Sequence, residues 1–138
     1  MRVILDTNVL VSALLVKGSV PARIVDAWLE GRFALVTSEV QLDEVRRVTR
    51  YPRVRPYLDP AEAGSLVNGL RRFAEVCTTL PDVDASSDPA DNFLLAIAQA
   101  VAADYLVTSD KRGLLALKRY GVTRIVSAGN FMELLERS

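Results

Sequence analysis

Four acidic residues of this 138-residue chain stand at positions where an isolated carboxylate would be costly. Asp6 interrupts the apolar segment RVILDTNVLV, and Asp110 directly follows the strand-like segment YLVTS. Glu44 and Asp91 belong to predicted helices and fall on faces that are otherwise apolar. A charged group on a buried face must be protonated, paired or bound to a cation. If the four side chains converge, they cannot all stay ionised without a cation, and this predicts a metal site.

Glu44 lies in a predicted helix over residues 38–50 that begins with a Ser-x-x-Gln capping box. At about 100° per residue, Glu44 falls roughly 40° from Val40, in the middle of the apolar arc. Asp43 falls on the polar side of the same helix, where it can pair with an arginine. The alternative to metal binding by Glu44 is a salt bridge to an arginine from elsewhere in the chain.

Asp91 opens a predicted helix over residues 92–103, in which nearly every face is apolar. A structural role is the alternative here, because Asp88-Pro89 is typical of a helix start and an acid in the first turn favours the helix dipole. The segment Asp59-Pro60-Ala61-Glu62 has the same form without any sign of function. The capping pattern alone therefore does not indicate a site, and the buried helix that follows Asp91 is what favours one.

The composition narrows the chemistry of the predicted metal site. The chain has no histidine and one cysteine, which excludes histidine-based zinc sites, Ser-His-Asp triads and an internal disulfide. Carboxylate oxygens remain as ligands, and they favour Mg²⁺ or Mn²⁺. Such ions polarise phosphoryl oxygens and activate water, so a phosphodiester is the natural substrate. Polar neighbours of the acids could orient ligands or a water, although ordinary turn and cap hydrogen bonds remain open for each: Thr7, Asn8, Thr108 and Ser109.

Strands and helices are predicted to alternate along the chain, which favours an α/β fold with a central, mainly parallel sheet covered on both faces. Ligand sites in such sheets lie beyond the carboxyl ends of the strands, where Asp6 and Asp110 are expected. The length suggests one domain over residues 1–138. The predicted strands are 2–5, 33–36, 76–80, 104–108 and 124–127, and the predicted helices are 20–30, 38–50, 59–75, 92–103, 113–120 and 129–136.

The chain carries 17 basic and 17 acidic residues, so only local patches can argue for nucleic acid. The segment RRVTRYPRVR at 46–55 contains five arginines. It is interpreted either as a phosphate-contacting rim or as a solvated helix end whose cations suit the dipole. The candidate phosphate contacts are Arg46, Arg47, Arg50, Lys111 and Arg112. No apolar stretch reaches the about 18 residues of a spanning helix, and no signal peptide is evident, which predicts a cytoplasmic protein.

Several segments resemble those of PIN-domain nucleases, in particular the VapC-like toxins of toxin–antitoxin pairs. They are VILDTNVLVSAL, SEVQLDEVRRV and DPADNFLLAIAQAVAADYLVTSD followed by KRGLL, and the likeness runs from residue 3 to about residue 135. The resemblance implies a three-layer α/β/α sandwich and an endoribonuclease that uses Mg²⁺ or Mn²⁺ to hydrolyse RNA. It also implies a homodimer and, for a toxin, an antitoxin protein as partner.

The resemblance carries the catalytic, metal-ligating role onto Asp6, Glu44, Asp91 and Asp110. It carries a polar supporting role onto Asn8 and Ser109. Many relatives have a further acid two residues after the last aspartate, whereas this chain has Arg112. We therefore expect one metal ion to be held more firmly than two.

Other classes of function remain as alternatives. Haloacid-dehalogenase-like phosphatases carry a second aspartate two residues after the first, where this chain has Asn8. A receiver domain needs an acid pair at the end of the first strand, and that pair is missing. A non-catalytic or RNA-processing PIN module that binds RNA or a protein partner would keep the same acids. Cleavage that depends on manganese separates the nuclease from the binding module.

Overall fold

A mainly parallel sheet forms the centre of the molecule. The structure, a computed structural model, describes residues 1–110 and 112–138. Within these residues six strands are hydrogen-bonded in the order β3-β2-β1-β4-β6-β5, with β5 antiparallel to β6 and the other pairs parallel. The strands are β1 (Arg2–Leu5), β2 (Ala34–Ser38), β3 (Glu75–Cys77), β4 (Tyr105–Val107), β5 (Arg119–Tyr120) and β6 (Thr123–Val126).

Helices connect the parallel strands. Several of them are capped by a residue whose side chain accepts a hydrogen bond from a backbone N–H group in the first turn. Such caps are provided by Ser19, Ser38, Asp59 and Ser127. The helices are α1 (Thr7–Leu15), α2 (Val20–Leu29), α3 (Glu39–Val48), α4 (Pro60–Phe73), α5 (Asn92–Val101), α6 (Leu114–Leu117) and α7 (Ala128–Arg137), with short 3₁₀ turns at Arg55–Tyr57 and Pro89–Asp91.

Helices cover both faces of the sheet, because successive side chains of a strand point to opposite faces. Val3 and Leu5 pack into a core with residues of α1, α2, α3, α4 and α7. Ile4 packs into a second core with residues of α5 and α6. The predicted α/β fold with a central, mainly parallel sheet is confirmed.

Two regions of the structure differ from the prediction. Residues 7–15 form α1, which the sequence pattern did not predict, because the strand passes into the helix at Asp6 without a connecting loop. The helix predicted over residues 113–120 is instead the short α6 followed by β5. Lys118 adopts a positive φ of 60° and its carbonyl accepts from Ile125 N, so the chain turns into a hairpin at this point.

No described helix is both long and apolar enough to cross a membrane by itself. The segments Thr7–Leu15 and Val20–Leu29 meet that criterion only when they are counted as one pair, and they are bent by 101° at the break between them.

Candidate active site

Asp6 and Asp110 are held at the same edge of the sheet because β1 and β4 are parallel neighbours. Leu5 is in register with Val107, and the backbone N–H of Asp6 donates to the Val107 carbonyl at 2.9 Å. Asp6 therefore lies directly beside Val107 at the carboxyl end of β4. Asp110 follows Val107 by three residues. This placement agrees with the rule that ligands bind beyond the carboxyl ends of parallel strands.

Thr108 connects these two aspartates. Its side chain is fully buried, and Oγ1 donates to Asp6 Oδ2 at 2.7 Å. The same oxygen accepts from the backbone N–H of Asp110 at 3.1 Å. One hydroxyl group thus orients the Asp6 carboxylate and the backbone from which the Asp110 side chain projects.

The Asp6 carboxyl is buried, and this burial raises its pKa above the ordinary value. The hydrogen bond from Thr108 lowers the pKa, whereas the negative charge of Asp110 raises it. Next to it, Thr7 Oγ1 is buried and has no hydrogen-bond partner among the described residues. A buried hydroxyl without a partner is costly, so this edge of the sheet retains an unused polar group.

Asp91 interacts with both of these aspartates. It precedes α5, but its side chain makes no capping hydrogen bond; Asp88 instead accepts from Ala90 N at 3.0 Å. Desolvation raises the pKa of Asp91 to about 7, helped by a hydrogen bond to Asp110 and by the charges of Asp6, Asp110 and Asp88. Asp59 accepts a capping hydrogen bond at the start of α4, as Asp88 does before α5. Glu62, which holds the position equivalent to Asp91, is exposed to solvent, whereas Asp91 is partly buried. Asp91 is therefore not explained by helix capping.

Asp110 is held by the start of α6. Its hydrogen bond with Asp91 lowers its pKa, and so do the hydrogen bonds from the backbone. Oδ1 accepts from Gly113 N at 3.0 Å and Oδ2 accepts from Leu114 N at 3.4 Å. A Cβ atom at residue 113 would overlap Oδ2 and lie 3.0 Å from Cγ of Asp110. The absence of a side chain at Gly113 is what lets the carboxylate occupy this position.

Glu44 lies apart from the three aspartates in its described contacts. Its side chain is 21% exposed and faces Arg47 of the same helix, with a long Oε2–Nη2 distance of 3.9 Å. The apolar arc predicted around Glu44 is wrong at Val40, which is 49% exposed, because Gln41, Leu42 and Val45 form the buried side of α3. In residues 1–110 and 112–138, no group of three or more aspartate, glutamate, histidine or cysteine side chains is arranged closely enough to hold a metal ion.

A family model described as PIN domain matches residues 2–112, which is most of the chain and includes all four acids. The chain belongs to the PIN-domain family. PIN domains are generally nucleases and usually metal-dependent, which agrees with the phosphodiester chemistry expected from the acidic residues. A search of curated proteins found no match.

Gln41 is a buried residue of this PIN domain whose role the sequence pattern did not reveal. Ser38 caps α3 as predicted, accepting from Gln41 N at 3.3 Å. The Gln41 side chain, however, does not return to the cap. Its Nε2 donates to the Leu5 carbonyl at 2.6 Å and its Oε1 accepts from Thr37 Oγ1 at 2.6 Å. Gln41 therefore fixes α3 to the residue that precedes Asp6.

Asn92 has a comparable role beside Asp91. Its Oδ1 accepts from the backbone N–H groups of Ala85 and Ser86, at 3.2 and 2.9 Å. These bonds fold the preceding loop back onto the start of α5 and so define where Asp91 lies. An asparagine at a helix start is common enough that the sequence alone gives no signal for this function.

The polar and basic residues predicted around the site are spread over several surfaces. Asn8 and Ser109 are exposed next to Asp6 and Asp110, and Arg112 is exposed after them. Arg46 pairs with Asp43 at 2.9 Å and lines a cavity together with Arg50, whereas Arg47 faces Glu44. The predicted phosphate contact at Lys111 lies outside the described residues.

Proposed function

We propose that this PIN domain is an endoribonuclease that uses Mg²⁺ or Mn²⁺ to hydrolyse RNA phosphodiester bonds. The observation that carries the proposal is that Thr108 links Asp6 and Asp110 at one edge of the sheet, and that Asp91, from a third segment, interacts with both. The negative charges of Asp6 and Asp110 raise the pKa of Asp91, and a divalent cation would offset that repulsion.

The donor chemistry fits such an ion. Asp6, Asp91 and Asp110 offer carboxylate oxygens, which Mg²⁺ and Mn²⁺ prefer, and the chain has no histidine to favour zinc. We include Glu44 as the fourth acid because α3 is fixed to the end of β1 through Gln41. Arg112 stands where a further acid would support a second ion, so we propose one firmly held metal.

The residues of the chain have separate tasks in the proposed reaction. When bound, the metal supplies an activated water and polarises the phosphoryl oxygen. Thr108 holds the Asp6 carboxylate in one orientation, and the N-terminus of α6 holds Asp110. Asn8 and Ser109 are exposed beside these acids and are suited to orient the scissile phosphate or the attacking water.

Cleavage of a labelled single-stranded RNA with added Mn²⁺ tests this proposal. We expect Asp6→Asn and Asp110→Asn to lower the rate by about 100-fold or more, because each removes a charged ligand. Asp59→Asn is the matched control, since it makes the same chemical change at a capping aspartate of α4. Equal cleavage by the parent and the two site variants would contradict the metal site, and preference for single-stranded DNA of the same sequence would contradict the RNA assignment.

We further propose that the protein acts as the toxin of a toxin–antitoxin pair, a role that rests on the resemblance of its motifs to VapC-like proteins. Its partners would then be RNA, an antitoxin protein and a second copy of the chain. Induced expression in bacteria should arrest growth, and Asp110→Asn should not. Normal growth with active nuclease present would contradict the toxin role, and a monomer in light scattering would contradict the dimer.

A further inference from the structure

A cavity of about 450 Å³ lies between α3, the turn Arg55–Tyr57 and α4. We refer to it as the α3–α4 cavity; its lining includes Arg46, Arg50, Arg55, Leu58, Gly64 and Val67. We propose that it binds one nucleotide unit of the RNA strand, with the phosphate on the arginines and the base on the apolar floor. This proposal rests on the proposed ribonuclease function and adds a place where the substrate is held.

The charge of the cavity favours an anion. Three arginines line it, and the described lining contains no acidic residue. Arg46 is paired with Asp43, but Arg50 and Arg55 have no acidic partner within 4.0 Å among the described residues. Arginine presents several N–H groups in a fixed plane and is well suited to phosphate.

The floor of the cavity favours a base in addition to a phosphate. Leu58 and Val67 are 6% and 5% exposed and form the apolar part of the lining with Pro60 and Ala63. A bare phosphate would leave this surface unused, and a neutral nucleoside would leave the arginines unpaired. A volume of about 450 Å³ lies within the range of small-molecule sites.

The cavity lies close to Glu44, the proposed fourth acid of the site. Arg46 and Arg50 follow Glu44 by two and six residues, so they lie within about 10 Å of it along the direction of α3. One RNA strand that contacts Glu44 can therefore also reach the cavity. Among the basic residues of the segment 46–55, the geometry points to Arg46, Arg50 and Arg55 as phosphate contacts, and Arg47 is directed towards Glu44.

Helix α4 offers a direct test, because Gly64 faces open space: a Cβ there would meet nothing within 4 Å. Gly64→Leu should fill the cavity without disturbing the helix. Gly69→Leu is the matched control, since Gly69 is equally open but lines a different cavity on another side of α4. Binding of AMP is measured by calorimetry, and binding of a single-stranded RNA oligomer by fluorescence anisotropy with EDTA present to prevent cleavage.

We expect AMP to bind the parent more tightly than inorganic phosphate or adenosine. Gly64→Leu should weaken both AMP and RNA at least about tenfold, whereas Gly69→Leu should change them less than about twofold. The double substitution Arg50→Gln/Arg55→Gln should make the slope of log K for RNA binding against log salt concentration less steep by about 1.4. This change corresponds to the loss of two phosphate contacts with a single strand. The control pair Arg119→Gln/Arg124→Gln, on β5 and β6, should leave that slope unchanged.

The proposal is overturned if Gly64→Leu binds AMP and RNA as the parent does. It is also overturned if an acidic peptide such as hexaglutamate displaces the RNA while AMP does not, because the cavity would then serve a protein partner. Binding is measured without metal, so its result is independent of catalysis. RNA that is bound through the cavity but not cleaved with Mn²⁺ would contradict the ribonuclease and not the cavity.

Discussion

Thr108 uses a single hydroxyl group to orient two of the candidate acids. Thr108→Val keeps the shape of the side chain but leaves the buried Asp6 carboxylate without its shortest hydrogen bond. A hydrogen bond to a charged group contributes about 1.5–3 kcal/mol, so we expect Mn²⁺-dependent cleavage or Mn²⁺ affinity to fall by about 10- to 100-fold. Both are measured by titrating Mn²⁺ in the RNA cleavage assay.

Thr108→Ser is the control for this substitution, because it retains the hydroxyl group and loses one methyl group. It should preserve most of the activity that Thr108→Val loses. If both variants lose activity equally, the packing of Thr108 matters and its hydrogen bond to Asp6 does not.

Gly113 matters because of the space that it leaves for Asp110. In Gly113→Ala the new methyl group would overlap the Asp110 carboxylate, which must then rotate away from the backbone N–H groups of Gly113 and Leu114. We expect at least about a tenfold loss of cleavage, comparable to the loss of a supporting residue at a metal site. Circular dichroism should show an unchanged fold.

Gly129→Ala gives the matched control for Gly113→Ala. Gly129 lies in α7, and a Cβ there would meet nothing within 4 Å. We expect full activity of Gly129→Ala, because alanine has a higher helix propensity than glycine. Unchanged activity of Gly113→Ala would mean that Asp110 functions in another orientation.

At the scale of elements, Gln41 fastens α3 to β1 and β2. Both polar atoms of its buried side chain are engaged at 2.6 Å, by the Leu5 carbonyl and by Thr37 Oγ1. Gln41→Ala leaves these groups without partners and opens a small cavity, so the free energy of unfolding should fall by about 2–4 kcal/mol. Urea denaturation measures this change.

Gln99→Ala is the control for the buried glutamine. Gln99 is exposed on α5 and accepts one hydrogen bond from Tyr120 at 3.0 Å. Its loss should change the free energy of unfolding by less than about 1 kcal/mol. Similar destabilisation by both substitutions would contradict the fastening role of Gln41.

The sequence predicts the elements that carry a strong local pattern. The apolar run of β1, the serine cap of α3 and the aspartate-proline start before α5 are visible because each depends on neighbouring residues. Helix α1 is not visible, since Asp6 is the only residue between β1 and α1 and no loop separates the two elements. The hairpin at β5 depends on pairing with β6, which a helical pattern in residues 113–120 obscures.

The candidate site likewise contains residues that a local sequence pattern predicts and residues that only the fold identifies. Asp6, Asp91 and Asp110 can be found from sequence because a carboxylate beside apolar residues is anomalous in any fold. Gln41 and Asn92 cannot, because their partners are backbone groups that only the fold brings near. The metal-binding role of Glu44 stays a prediction, and the solvated face predicted for Asp43 agrees with its pairing to Arg46.

At the scale of the whole molecule, the shifted pKa values of the three aspartates couple the stability of the fold to pH. The pKa of Asp91 is raised from its ordinary value of 3.8 to about 7, and that of Asp6 is raised as well. The raised pKa of Asp91 contributes stability that is complete below about pH 4 and is lost as the pH rises through about 7. The pKa of Asp110 is lowered, so its contribution is lost only when the pH falls below its ordinary value.

The metal-free protein should therefore unfold at a lower temperature at pH 8 than at pH 6, by roughly 3 °C or more for a domain of this size. Because Mn²⁺ binds deprotonated carboxylates, it should raise the unfolding temperature more at pH 8 than at pH 6. With Mn²⁺ present, the protein should therefore unfold at the higher temperature at pH 8. Differential scanning fluorimetry at both pH values, with EDTA and with Mn²⁺, measures the four conditions.

Asp91→Asn tests whether Asp91 is the source of this dependence, since an amide does not titrate. The variant should lose most of the difference between pH 6 and pH 8 in EDTA and should gain less from Mn²⁺ at pH 8. Asp84→Asn is the matched control, because Asp84 is exposed in the loop that leads to Asp91 and should keep the parent's behaviour. An equal pH response in the parent and in Asp91→Asn would show that the proton is held elsewhere, and it would remove the electrostatic argument for a cation among the three aspartates.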